Sequence, residues 1–292
     1  MPPRAVHPVT TAALWMGGAL VSFILMAVAA RELSSSLGTF QILFFRSLIG
    51  LTVILLILGR RGLRTVASTH LRLHLVRNLS HYAGQFGWFY GIAFIPLAEV
   101  FAIEFTVPVW TALLATVLLG ERLTRVRVIA IALGIVGVLL ILRPGLAVVH
   151  PAALAVLIGA VAYGVSHTLT KKLSGYDKPL TILFYMTLIQ LPLGLVPSLF
   201  DWTTPSPSMW PWLIAVGLTA LSAHYCMTRA FLLADATVVV PLDFLRLPLV
   251  AVLGFLFYGE SIEWFVFAGA ILILAGNLLN IRGERAKLDR QR

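Results

Sequence analysis

Two stretches constrain what this chain can become: Ala98–Glu121, AEVFAIEFTVPVWTALLATVLLGE, and Ala236–Glu260, ATVVVPLDFLRLPLVAVLGFLFYGE. Each is an apolar run long enough to cross a bilayer as a helix, which takes about 20 residues at about 1.5 Å rise each. Each holds a carboxylate well inside the run, Glu104 and Asp243. Each then has a proline, Pro108 and Pro248, and closes on Gly-Glu. Glu104 and Asp243 stand 139 residues apart, as do Glu121 and Glu260. A charge near the middle of a spanning helix costs at least about 2.5 kcal/mol. Its recurrence at matched positions argues for duplication and for a shared interior site.

The remaining sequence extends this pattern. Hydrophobic residues make up 59% of the 292 and charged residues 12%. A soluble domain of this length has no interior large enough for so much apolar surface, so the expectation is an all-α integral membrane protein. Ten spans are read, at 9–30, 38–58, 73–95, 98–118, 125–142, 151–171, 179–200, 210–232, 236–257 and 263–281. Short loops join them and leave no room for a soluble domain. Ala27-Val28-Ala29 imitates a signal-peptide cleavage box, but the apolar run before it is too long and recurs in the second half. The lone Cys226 excludes internal disulfides and cysteine metal clusters.

The net charge of +10 would suggest nucleic acid as partner for a soluble chain. Here loop sorting accounts for it, and no nucleic-acid role is expected. With the N-terminus in the cytoplasm, sixteen of the 22 Lys and Arg fall on inside segments and two, Arg31 and Arg143, on outside loops. That asymmetry places both termini in the cytoplasm.

A repeat covers nearly the whole chain. Thr11-Ala12-Ala13-Leu14 matches Pro151-Ala152-Ala153-Leu154 at an offset of 140, and Ile42–Ile49 matches Ile182–Ile189 at the same offset. This divides the chain into halves at 1–145 and 146–292. Five spans per half is odd, so the expected fold is ten transmembrane helices as two inverted five-helix repeats. Such repeats are the architecture of secondary transporters, with the substrate site near the midplane.

Certain local strings are familiar: Phe44-Phe45-Arg46, Ile95-Pro96-Leu97-Ala98-Glu99-Val100, Pro108 with Leu118-Leu119-Gly120-Glu121, and Leu140-Ile141-Leu142-Arg143-Pro144-Gly145. The second half adds Arg229-Ala230-Phe231, Ala236 and Gly259-Glu260. On these the full chain resembles the EamA-type carriers of the drug/metabolite transporter superfamily. Met186 stands where the first half has Arg46, so the halves are not chemically equivalent. The resemblance implies ten helices and a central cavity lined by spans 1–4 and 6–9, with spans 5 and 10 at the periphery. Exporters of amino acids and related metabolites are the most similar members.

The candidate substrate-binding residues lie on polar faces. Span 3 carries Asn78, His81, Gln85 and Trp88 at i, i+3, i+7 and i+10, flanked by Tyr82. Such a face in an apolar span should turn inward, because unpaired polar groups in lipid cost several kcal/mol. It reads either as a substrate-facing wall or as interhelical hydrogen bonding. Span 6 offers Tyr163 and His167, and span 8 offers His224 and Tyr225. The histidines suit proton relay or plain packing, and nothing in their spacing resembles a metal motif. Gly87 and Gly91 form a GxxxG pair read as close helix packing.

Four intramembrane charges stand out, Arg46, Glu104, Asp243 and Arg246. Asp243 and Arg246 are three apart and can pair, which leaves Arg46 and Glu104 as a candidate pair between spans 2 and 4. Glu104 and Asp243 are also candidates to bind a substrate ammonium or a coupling proton. Glu121 and Glu260 read as helix caps.

The expectation is a secondary transporter in a bacterial inner membrane, not an enzyme, exporting amino acids with aromatic or other apolar side chains and related small metabolites by alternating access. The expected partners are a small-molecule substrate, the bilayer and, if coupled, protons. No cofactor or metal is expected, and without a GxxxxGK[ST] motif the energy comes from a gradient or downhill flow. An importer of a nucleoside-like metabolite such as S-adenosylmethionine is the alternative, followed by a channel or receptor.

Overall fold

The computed structural model describes residues 8–59, 62–119, 124–143, 149–234, 239 and 242–289. Among these residues the chain is a bundle of α-helices. In chain order they are α1 (Pro8–Ser34), α2 (Thr39–Gly59), α3 (Leu71–Phe94), α4 (Leu97–Glu104), α5 (Val107–Leu119), α6 (Arg125–Leu142), α7 (Pro151–Leu173), α8 (Pro179–Ser198), α9 (Trp210–Leu233), α10 (Arg246–Tyr258) and α11 (Trp264–Asp289). Among the described residues, seven segments are long and apolar enough to cross a membrane. Two more helices, α3 and α9, have 24 residues each. At about 1.5 Å per residue they also have the length to span, and their polar faces make them less apolar. Leu56, Ile158 and Phe257 are exposed on the outer surface of the bundle, as lipid-facing side chains must be.

The stretch 98–118 is not one continuous helix. It breaks after Glu104, at Phe105-Thr106, and resumes as α5. The cause is Pro108, which lacks an amide hydrogen and whose ring collides with the carbonyl four residues back, that of Glu104. Pro248 acts in the same way on Phe244, and the second stretch turns at Phe244-Leu245 before α10 begins. Each break therefore falls directly behind a carboxylate.

Helices from early in the chain pack mainly on helices from late in it: α1 on α9, α2 on α8, α3 on α7, α6 on α11 and α4 on α10. Small residues make the closest approaches. A Cβ on Gly87 would run into the Ala155 carbonyl oxygen across the α3–α7 contact. Gly137 and Gly269 face each other's carbonyl oxygens across α6 and α11. These contacts give the GxxxG glycine of α3 the packing role its spacing predicts.

The caps differ from expectation in one respect. Gly259 takes a left-handed φ of 64°, and the Glu260 amide returns to the Gly254 carbonyl at 3.0 Å, closing α10 in a Schellman-type turn. That turn sends the Glu260 side chain to the start of α4 instead of the start of the following helix: its Oε2 accepts from the Leu97 amide at 2.9 Å. The expected cap Glu121 lies outside the described residues. The cap of α6 is Thr124, whose hydroxyl accepts from the Arg127 amide at 3.2 Å.

Candidate functional site

The two helix breaks meet. Phe105 and Phe244 stack with ring centroids 4.0 Å apart and planes 15° apart. Arg246, the first residue of α10, lies beside them, 3% exposed. Its Nη2 donates to Asp243 Oδ2 at 2.7 Å, and its Nη1 stands 3.8 Å from Glu104 Oε1. Its guanidinium also lies over the rings of Phe23, Phe101 and Phe105, at 4.3, 5.4 and 5.1 Å. One cation thus holds both intramembrane carboxylates, and three aromatic faces shield it.

The expected Arg46–Glu104 pair does not form. Glu104 is taken by Arg246 and by Trp88, whose Nε1 donates to Oε2 at 2.8 Å. Arg246 reaches it because the broken helices cross, a relation that separation along the chain does not reveal. Arg46 is buried, and its Nε has no hydrogen-bond partner among the described residues.

Beside these charges is a cavity of about 380 Å³, within the range of small-ligand sites. Trp88, Phe89, Phe105 and Phe244 supply aromatic walls. Arg46 and Gln85 lie in the wall, together with His81, Tyr163, His167 and His224. Glu104, Asp243 and Arg246 line it as well, and Asn277 of α11 reaches in. Asn277 Nδ2 donates to the Phe105 carbonyl at 3.1 Å, which satisfies backbone freed by the break.

Eight of the eleven residues singled out in the sequence line this cavity: His81, Gln85, Trp88, Glu104, Tyr163, His167, His224 and Asp243. Asn78, Tyr82 and Tyr225 do not. Asn78 is fully buried beside Arg77, accepting from its Nη1 at 2.6 Å. Tyr82 donates to the Leu193 carbonyl at 3.1 Å, tying α3 to α8. Tyr225 is 57% exposed on the outside of α9, edge-on to Trp15. Neighbours on a helix point about 100° apart, and here that step turns Tyr225 away from the cavity that His224 faces. Sequence reading missed Phe23, Phe105, Phe244 and Asn277. The first break's Phe105 and the second's Phe244 each follow a carboxylate at the same 139-residue offset, and that signal was available.

The end of the bundle that carries the C-terminus of α1 is tied together. Arg31 Nη2 donates to the Ile95 carbonyl at 2.7 Å and to Glu260 Oε1 at 2.5 Å. Burial holds the Glu260 carboxyl above its ordinary range, against the Leu97 amide and the Arg31 guanidinium, which favour the charged form. Tyr258 donates to Glu32 at 2.9 Å, and Arg143 pairs with Glu263. These contacts join α1, the α3–α4 turn, α6 and the α10–α11 turn.

Membrane-length helices, two of them broken over a buried polar cavity, define a membrane transporter, with half-helix ends at the site. The chain belongs to the EamA-like transporter family, within the drug/metabolite transporter superfamily; it matches that family over residues 10–143 and again over 150–282. It is a multi-pass membrane protein. Among its relatives is a riboflavin transporter of Rhizobium johnstonii, 31% identical over 97% of this chain and 93% of the relative. An S-adenosylmethionine uptake transporter of Rickettsia prowazekii is 24% identical over 94% of each. The pseudopaline exporter CntI of Pseudomonas aeruginosa is 28% identical over 87% and 89%. A solved crystal structure aligns with a TM-score of 0.64 at 20% identity, over 93% of this chain and 96% of that one, a likeness of fold.

Proposed function

We propose that this chain is a secondary carrier of a small planar heteroaromatic metabolite, flavin-like or nucleoside-like, working by alternating access. The two family matches support its division into inverted five-helix halves, 1–145 and 146–292, with ten crossings. The basic loops support cytoplasmic termini in a bacterial inner membrane. The cavity is the observation that carries the substrate reading. Its walls are aromatic, and polar groups in or beside them lack hydrogen-bond partners among the described residues: Arg46 Nε, both amide atoms of Gln85 and Asp243 Oδ1. A flat ring with donors and acceptors on its edge meets both demands. Riboflavin and S-adenosylmethionine, which relatives are named for carrying, each contain such a ring.

The case for an ammonium-bearing substrate is weaker than the sequence implies, because Arg246 already pairs with both Glu104 and Asp243 and so offsets one of their two negative charges. Export of aromatic amino acids remains the second reading, favoured by Asp243 Oδ1, which is buried with no hydrogen-bond partner. Counterflow in proteoliposomes separates the two. Vesicles preloaded with unlabelled riboflavin should accumulate labelled riboflavin, saturably and above empty-liposome controls. Exchange of phenylalanine or tyrosine with no flavin or nucleoside exchange would overturn the heteroaromatic reading in favour of the second.

A further inference from the structure

The polar stripe of α3 is not uniform. Asn78 is held by Arg77. His81 Nδ1 meets Gln190 Nε2 at 2.9 Å. Trp88 Nε1 is given to Glu104. Gln85 alone in this stripe finds no partner among the described residues for either its amide oxygen or its amide nitrogen, although it is 1% exposed and lines the cavity. A buried amide left in this state costs the protein its full desolvation, and an apolar side chain of similar size would avoid that cost. A group retained against its own stability is expected at a functional site.

We propose that Gln85 determines specificity by reading the imide edge of the substrate ring. This rests on the heteroaromatic reading above and narrows it. A glutamine amide presents one acceptor beside one donor. Its complement is a ring edge with a carbonyl next to an N–H, as in a lactam or imide. Arg46, in the same cavity, is a donor only, and its Nε is unpaired. Two donor sources against one acceptor match an acceptor–donor–acceptor edge, the imide of a flavin or uracil ring. The edge of adenine, with an amino donor beside a ring acceptor, uses Gln85 but leaves Arg46 unmatched. The ring itself lies against the aromatic wall that Trp88, Phe105 and Phe244 form.

The test is competition against labelled riboflavin counterflow with the full chain in proteoliposomes. The probes are lumiflavin, its N3-methyl derivative and adenosine. In the wild type, lumiflavin should compete at roughly tenfold lower concentration than the N3-methyl form, since one neutral hydrogen bond is lost. Adenosine should compete more weakly than lumiflavin. Gln85→Leu should bring the two flavins within about twofold of each other and melt no lower than the wild type, because it removes an unpaired buried amide. Gln85→Glu, close in shape but lacking the N–H donors, should also weaken lumiflavin. If the wild type treats both flavins alike, or Gln85→Leu keeps the preference, this assignment fails while the carrier reading stands. If adenosine outcompetes lumiflavin, the imide assignment fails in favour of an adenine edge. If no flavin or nucleoside competes, both readings fall.

Discussion

Replacing Arg246 with leucine tests the centre of the site. The side chain is 3% exposed and bridges Asp243 at 2.7 Å and Glu104 at 3.8 Å. Without it, two largely buried carboxylates have no cation beside them. Breaking a buried pair from one side costs about 3–5 kcal/mol. The guanidinium also covers three aromatic faces, each worth about 0.5–2 kcal/mol, but the three share one cation and do not add in full. A total of about 4 kcal/mol is expected, a fall in Tm of about 8–16 °C at the usual sensitivity for a chain of this size. The assay is thermal unfolding of the detergent-solubilised protein. Glu104→Gln in the Arg246→Leu background should recover part of the loss, with a coupling of about 0.5–3 kcal/mol. Arg46→Leu should show no coupling to Glu104 beyond about 0.5 kcal/mol, the additivity error for independent sites. A Tm change under about 2 °C for Arg246→Leu, or equal coupling of Glu104 to both arginines, would refute the reasoning.

Two further outcomes follow from the packing. Glu260→Gln removes the charge that joins Arg31 to the start of α4; with hydrogen bonds to charged groups worth about 1.5–3 kcal/mol, a cysteine at Ala98 in a Cys226→Ser background should react with a polar maleimide about tenfold faster or more, and an unchanged rate would show that this contact does not hold the end closed. Gly87→Ala puts a Cβ against the Ala155 carbonyl, where only backbone movement relieves the clash, so thermal unfolding should report a loss of about 1–3 kcal/mol, whereas Gly17→Ala, with nothing within 4 Å, should be neutral or stabilising.

Much of this protein is legible in its sequence. Apolar run length marks which segments are able to cross a membrane, because water and lipid sort single residues without reference to their neighbours in space. Helical periodicity is equally local, so the α3 stripe of His81, Gln85 and Trp88 could be assigned to one inward face before any fold was known. The same arithmetic sets His224 and Tyr225 about 100° apart but does not say which of them faces inward, since the neighbours Trp88 and Phe89 both line the cavity.

What the tertiary structure decided is partnership. Pro108 and Pro248 are visible in the sequence, but that the two breaks stack face to face through Phe105 and Phe244 depends on how α4 and α10 cross. From that crossing it follows that Glu104 is paired with Arg246, 142 residues away, and not with Arg46. It follows too that Glu260 caps α4 instead of α11. The sequence alone determined which residues had to leave the lipid, since the cost of exposing a polar group belongs to that group. Which of them met each other, and which, like the Gln85 amide, found no hydrogen-bond partner among the described residues, was set by three-dimensional packing, because a hydrogen bond or ion pair depends on distances of a few ångströms that separation along the chain does not encode.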